Sequence, residues 1–163
     1  MDVMTRWLTD REQRAWRAFL AASHLLMDQL DRELQRDAGM PHAYYEILVV
    51  LSESPRRRRR MSELAGMLLS SRSRLSHAVA RLQERGWVGR EACPTDRRGQ
   101  VAVLTEAGYA ALRDAAPGHV EGVRAHLFDQ LTPVQVEQLR TISETVAGRL
   151  SALPDADRAG AGL

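Results

Sequence analysis

Arginine is the residue of this sequence with the most chemistry to offer. The 163 residues contain no lysine, so all 23 Lys or Arg positions are arginine. Twelve of them fall between Arg56 and Gln100 against only four acids (Glu63, Glu84, Glu91 and Asp96), a net +8 within that stretch. The rest of the chain carries −6, so the overall +2 hides a basic middle between acidic flanks. Guanidinium groups gathered in this way suit a polyanion, because each fork aims several N–H donors at phosphate oxygens. Abundance alone is a weaker sign. Lysine and asparagine are absent and there are only two isoleucines, as a GC-rich coding sequence would give.

Other chemistries lack their residues. There is no Gly-rich phosphate loop, no His-Glu-x-x-His and no nucleophile elbow, and the five histidines are scattered singly. Cys93 is the single cysteine, which excludes an intramolecular disulfide and a multi-cysteine metal site. No catalytic residue, metal or cofactor is therefore expected. No apolar run approaches the roughly 18 residues of a membrane span. The opening Met1-Asp2-Val3-Met4-Thr5-Arg6 lacks the basic-then-apolar order of a signal peptide. A cytoplasmic protein of one ordinary domain, with no membrane partner, is the expectation.

The elements that must carry the arginines can be read from period and punctuation. Thr9-Asp10-Arg11-Glu12 has the form of a capping box, and Ala15, Phe19, Ala22, Leu26, Leu30 and Leu34 continue a helical stripe to about Asp37. Gly39 and Pro41 end it. A second helix starts near His42 with Tyr44, Ile47, Leu48 and Leu51 on one face, and Arg56 to Arg60 read as a polar connection. Met61 to Leu68 predicts a short helix capped by Ser62, then a Leu69-Ser70-Ser71 turn, then a helix from Arg72 to about Arg85 stopped by Gly86. Leu75, Ala78, Val79 and Leu82 mark its buried side. Ser73, His77, Ala80 and Glu84 project the opposite way, flanked by Arg74, Ser76 and Arg81.

The period then shifts toward two. Residues 87–92 and 100–104 read as paired strands around the turn-rich Cys93-Pro94-Thr95-Asp96-Arg97-Arg98-Gly99. Two short helices followed by a basic hairpin make a winged helix-turn-helix. From Glu106 the chain reads helical through Asp129 with a kink or break at Pro117-Gly118. Thr132-Pro133-Val134-Gln135 opens a last helix carrying Leu139, Ile142, Val146 and Leu150. Residues 151–163, small and polar, are expected to be disordered.

Ser62-Glu63-Leu64-Ala65, Gly86-Trp87-Val88, Asp96-Arg97-Arg98-Gly99 and Leu104-Thr105-Glu106-Ala107-Gly108 stand in the order and spacing of a known family. Over roughly Thr9 to Leu150 the sequence resembles the MarR family of bacterial transcriptional regulators. The resemblance implies a mainly α fold with a small β-hairpin wing. A winged helix-turn-helix lobe (42–105) joins N- and C-terminal dimerisation helices (9–37 and 106–150) of a homodimer on double-stranded DNA. The terminal stripes agree, being too apolar to face water on a small monomer.

On that reading Ser71, Arg72, Ser73, Arg74, Ser76, His77 and Arg81 approach the major groove, where arginine forks onto guanine and Ser or His reaches base edges or phosphates. Arg74 and Arg81, on the flanks, fall to phosphate or water. Arg97 and Arg98 occupy the wing, where a narrow minor groove attracts guanidinium, and the family pattern favours Arg98 as the inserted residue. Asp96, repelled by phosphate, orients a wing arginine instead. The resemblance also implies a pocket for a small aromatic or phenolic effector, with Trp16, His24, His42, Tyr44 and Tyr45 as candidate lining. Ordinary core or interface aromatics remain the competing reading of those five. Arg56 to Arg60 read equally as phosphate contacts or as a solvated charge run. Cys93, beside Arg90, reads as a passive wing residue, with thiol sensing the lesser alternative. The expected function is a sequence-specific, ligand-released repressor on a pseudo-palindromic operator; the alternative is a winged-helix module for nonspecific DNA packaging or protein contact.

Overall fold

The computed structural model describes residues 5–93 and 96–152, apart from the side chains of Arg97 and Arg98. Helix α1 (Asp10–Ala38) opens on the Thr9–Glu12 capping box and ends where Gly39 turns left-handed at φ 58°. Helix α2 (His42–Glu53) follows, then a 3-10 turn (Pro55–Arg57) and a short strand β1 (Arg58–Arg60). Helices α3 (Met61–Met67) and α4 (Arg72–Glu84) form the helix-turn-helix, and strands β2 (Val88–Cys93) and β3 (Asp96–Leu104) form the wing. Helix α5 (Glu106–His126), a 3-10 turn (Phe128–Gln130) and helix α6 (Pro133–Ser151) complete the chain.

The core lies under the helix-turn-helix. Leu48, Leu51, Leu64, Val79 and Leu82 are fully buried, joined by Leu34, Leu75, Val88, Ala102, Leu104 and Leu112. Leu75, Val79 and Leu82 recur at helical spacing, so one stripe of α4 is committed inward and the opposite side is left to solvent.

Several expectations are corrected. The arginine run is not a simple connection: Arg58, Arg59 and Arg60 pair antiparallel with Val103, Ala102 and Val101, giving a three-stranded sheet of order β1-β3-β2. Nothing in three consecutive arginines signals a strand. The unpaired edge of β3 supplies the reason for it. Ser62 is not a cap, because α3 starts one residue earlier behind Arg60 and has no side-chain cap. Helix α5 runs through Pro117 without a break. The carbonyl that Pro117 leaves without its helical donor belongs to Arg113, which is exposed, as Pro117 is, so water can satisfy it. Arg97 and Arg98 fall inside the span of β3, in the unpaired bulge between Asp96 and Gln100 at the hairpin end. Ser151 is the last helical residue, and 153–163 lie outside the described residues.

The outer helices are only partly used. In α1 just Leu30 and Leu34 are buried, while Trp16 and Phe19 stand exposed. No residue of α6 is buried, and Ile142 keeps 63% of its surface in solvent. Among the described residues no helix is long and apolar enough to cross a membrane.

Candidate nucleic-acid interface

Helix α4 is set by its turn. The backbone N–H of Ser70 bonds the Ala65 carbonyl at 3.0 Å, Leu69 adopts a left-handed φ of 49°, and the Ser71 hydroxyl accepts from the Arg74 N–H at 3.2 Å. A β-carbon in that region is costly, so the leucine is held there by the bonds on either side of it. Ser71, Arg72, Ser73, Arg74, His77 and Arg81 are all exposed along α4 and its cap. Arg81 is shared with Glu84 at 2.9 Å, and that hydrogen bond raises its pKa. Ser76 differs from the other candidates. It is half-buried, and its carbonyl and hydroxyl accept from Arg90 of β2 at 2.7 and 3.3 Å.

At the wing, pairing jumps from Ala92 opposite Gln100 to Cys93 opposite Asp96, so residues 97–99 leave the ladder. A Cβ on Gly99 would stand 3.0 Å from an Asp96 carboxylate oxygen and from Cys93 Cβ. Asp96 thus folds against the hairpin, and Cys93 is buried. The side chains of Arg97 and Arg98 lie outside the described residues. A buried thiol is poorly placed for oxidant chemistry, which favours the passive reading of Cys93.

The arginine run is largely committed to the fold. Arg57 bonds Glu106 at 2.9 Å with its guanidinium 3.8 Å above the Tyr109 ring, and Arg58 pairs with Glu91. Arg59 donates to the Ser54 hydroxyl at 2.9 Å and lies 3.6 Å from Glu63. These partners stand up to 49 residues away in sequence, beyond the reach of any local pattern.

The effector candidates divide. His42 and Tyr45 come together with a residue the sequence reading missed, His119 of α5, whose ring lies 4.4 Å from Tyr45 and 5.3 Å from His42. Tyr44 points elsewhere, toward Arg85, which also caps the Trp87 ring. Trp16 stacks on Phe19 and His24 is exposed, both away from that cluster. A hollow beside His119, between Leu30, Glu33 and Ala115, measures only ≈ 70 Å³, against roughly 300 Å³ and upward for small-molecule sites.

His119 is held below the usual imidazole value of 6.5, chiefly by burial and then by the neighbouring His42, with Glu33 opposing. Its Nδ1 is buried without a hydrogen-bond partner. A base depressed in the fold binds fewer protons folded than unfolded, so its contribution is complete above 6.5 and lost as pH falls toward the lowered value. The thermal midpoint is expected to fall between about pH 7.5 and 5.5, and His119→Gln to flatten that dependence. Parallel midpoint–pH curves for the two proteins would count against this assignment.

Comparison with known proteins fits this architecture. A model of the MarR family matches residues 38–99. The chain is similar to Sco3205 of Streptomyces coelicolor, a MarR family transcriptional regulator solved in complex with DNA. Identity is 59%, with 90% of this chain and 91% of that one covered and a TM-score of 0.85. AbsC, a MarR family regulator of the same organism, is 46% identical with a TM-score of 0.85, covering 91% of this chain and 100% of that one. The transcriptional repressor MprA of Escherichia coli (strain K12) is 29% identical over 112 residues, 69% of this chain. The match spans 63% of the length of that repressor.

Proposed function

This chain belongs to the MarR family of transcriptional regulators, and from that membership we propose that it is a sequence-specific DNA-binding repressor, acting as a homodimer on a pseudo-palindromic operator and released by a small ligand. Residues 42–105 form the DNA-binding lobe, and residues 9–37 with 106–150 the dimerisation helices. The observation that carries the reading is the outward face of α4. Ser73 and His77 are exposed between Arg72, Arg74 and Arg81, on a helix whose other side is locked into the core. That face offers forked donors and small polar groups to a major groove. The DNA complex of Sco3205, at 59% identity, supports the same use here.

Ser73 and His77 read bases, Arg72 and Arg74 hold phosphate or guanine, and Arg81, shared with Glu84, contributes less. Arg98 enters the minor groove and Arg97 the adjoining backbone, with Asp96 supporting the wing from inside. The ligand is a small aromatic or phenolic molecule; the ≈ 70 Å³ hollow beside His119 is too small to hold it as it stands, so binding next to His42, Tyr45 and His119 requires α1 and α5 to part.

Selection of bound duplex from a random pool at near-physiological salt tests the reading. One enriched palindrome, with half-sites about one helical turn apart, is expected. Salt-sensitive binding without enrichment would replace the repressor with a packaging protein. On the selected site, Arg98→Ala is expected to weaken binding about tenfold and to flatten the log affinity–log salt slope by about 0.9. Ser73→Ala and His77→Ala should change base preference more than slope. An unchanged operator affinity in Arg98→Ala would remove the wing from the mechanism.

A further inference from the structure

From strand β2 of the wing, the Arg90 side chain reaches both α4 and β3. It lies on β2 opposite Ala102, on the side of the sheet that buries Val88 and Ala102 against the helices. One terminal nitrogen donates to the Ser76 carbonyl at 2.7 Å and lies 3.3 Å from the Ser76 hydroxyl; the other donates to Gln100 Oε1 at 3.3 Å. Ser76 stands on the flank of α4, and Gln100 is the last paired residue of β3 before residues 97–99 leave the ladder. The third nitrogen, Nε, is buried without a partner. Desolvating that N–H is a cost, and the two-ended bridge offsets it.

We propose that Arg90 is a positioning residue that fixes the wing at a set distance and angle from α4, so that helix and wing meet adjacent grooves in register. This rests on the DNA-binding reading above. A helix interior carbonyl keeps a second lone pair, and a planar fork can take it while its other arm holds Gln100. An ammonium offers its donors from a single nitrogen and lacks the two separated arms by which Arg90 meets Ser76 and Gln100. On this proposal the Ser76 oxygens serve the bridge rather than a base edge. Nothing in the sequence marks Arg90 for this, as it is one arginine among twelve in the basic stretch.

The test compares wild type with Arg90→Lys, Arg90→Ala and Ser76→Ala. Arg90→Lys is expected to bind the selected operator at least about tenfold more weakly, yet random duplex within about threefold of wild type. Arg90→Ala should leave the salt slope on random duplex unchanged, whereas a direct phosphate contact would flatten it by about 0.9. Operators with one base pair inserted between the helix-read box and the wing-read tract should penalise wild type more than Arg90→Lys. Unchanged operator affinity in Arg90→Lys, or equal losses on operator and random duplex in Arg90→Ala, would overturn the proposal. Ser76→Ala, which removes only the hydroxyl, keeps the question answerable if Arg90→Ala does not fold, with a loss of about threefold expected on the operator alone. Amide exchange separates this inference from the function itself. In Arg90→Lys the amides of 88–104 should exchange about tenfold faster while those of α1 are unchanged, whatever DNA the protein prefers. Unaltered exchange there would refute the bridge; a wild type that enriches no sequence would refute only the repressor reading.

Discussion

Replacing Ile142 by Asp is expected to leave a monomer at micromolar concentration, with operator affinity reduced at least a hundredfold. The reason lies in the state of α6. Leu139, Ile142, Val146 and Leu150 share one stripe of that helix, yet no residue of α6 is buried within the chain. A 19-residue helix is marginal in water when it stands alone. Its apolar face therefore needs a second surface, and in the homodimer proposed above α1 of the other copy would offer one in Trp16, Phe19 and Leu25, each more than half exposed. In a two-fold dimer the substitution enters twice, and each unpaired carboxylate in an apolar contact costs several kcal/mol. DNA affinity follows, because linking two half-site readers raises the second encounter to about millimolar effective concentration. Light scattering after gel filtration, with gel shifts on the selected operator, measures both effects. Arg140→Ala is the control: Arg140 pairs with Glu137 and Glu144 on the opposite side of α6 and should leave the dimer intact. An Ile142→Asp protein that remains dimeric would place the interface elsewhere.

What the sequence revealed and what it hid follow one physical division. Thr9 with Glu12, Thr132 with Gln135, Gly39 and Gly86 behave as read, since a cap or a left-handed stop is decided within four residues. The burial of α4 was also readable, because periodicity carries it. Strand β1 was not. Arg58 to Arg60 become extended only because β3 offers an open edge, a fact of tertiary structure. The same holds for the arginine partners Glu91 and Glu106, and for His119, which joins His42 and Tyr45 from 74 residues beyond Tyr45. Leu69 is a different failure. The turn before α4 needs a left-handed residue, and the chain places leucine there where glycine would have announced it. For the five consecutive arginines composition leaves phosphate contact and a solvated charge run equally open, and at least three of them pair with acids of the fold.

Gly108→Ala is expected to lower stability by about 3 kcal/mol or more, at the upper end of overpacking effects. The added methyl would stand 2.1 Å from the Trp87 carbonyl oxygen and 2.8 Å from Leu104 Cδ1. Side-chain rotation can relieve the second clash but not the first, since the oxygen belongs to backbone. That oxygen is pinned: it accepts the Thr105 N–H at 3.0 Å and lies 3.1 Å from the Thr105 hydroxyl, which itself accepts the Gly108 N–H at 3.0 Å. The first turn of α5 is thus laced to the Gly86–Trp87 corner, where the chain passes from α4 to the wing. Moving α5 away breaks the lacing; leaving it in place keeps the overlap. For a domain of this size the loss corresponds to a thermal midpoint lower by about 6–12 °C. Gly118→Ala in the same helix supplies the opposite sign. Nothing lies within 4 Å of its added methyl, so alanine's better helix propensity should raise stability by about 0.5–1 kcal/mol. A Gly108→Ala midpoint within about 2 °C of wild type would mean that the corner yields. Because that corner sets where α4 meets β2, a yielding corner would also weaken the case for a fixed distance between helix and wing.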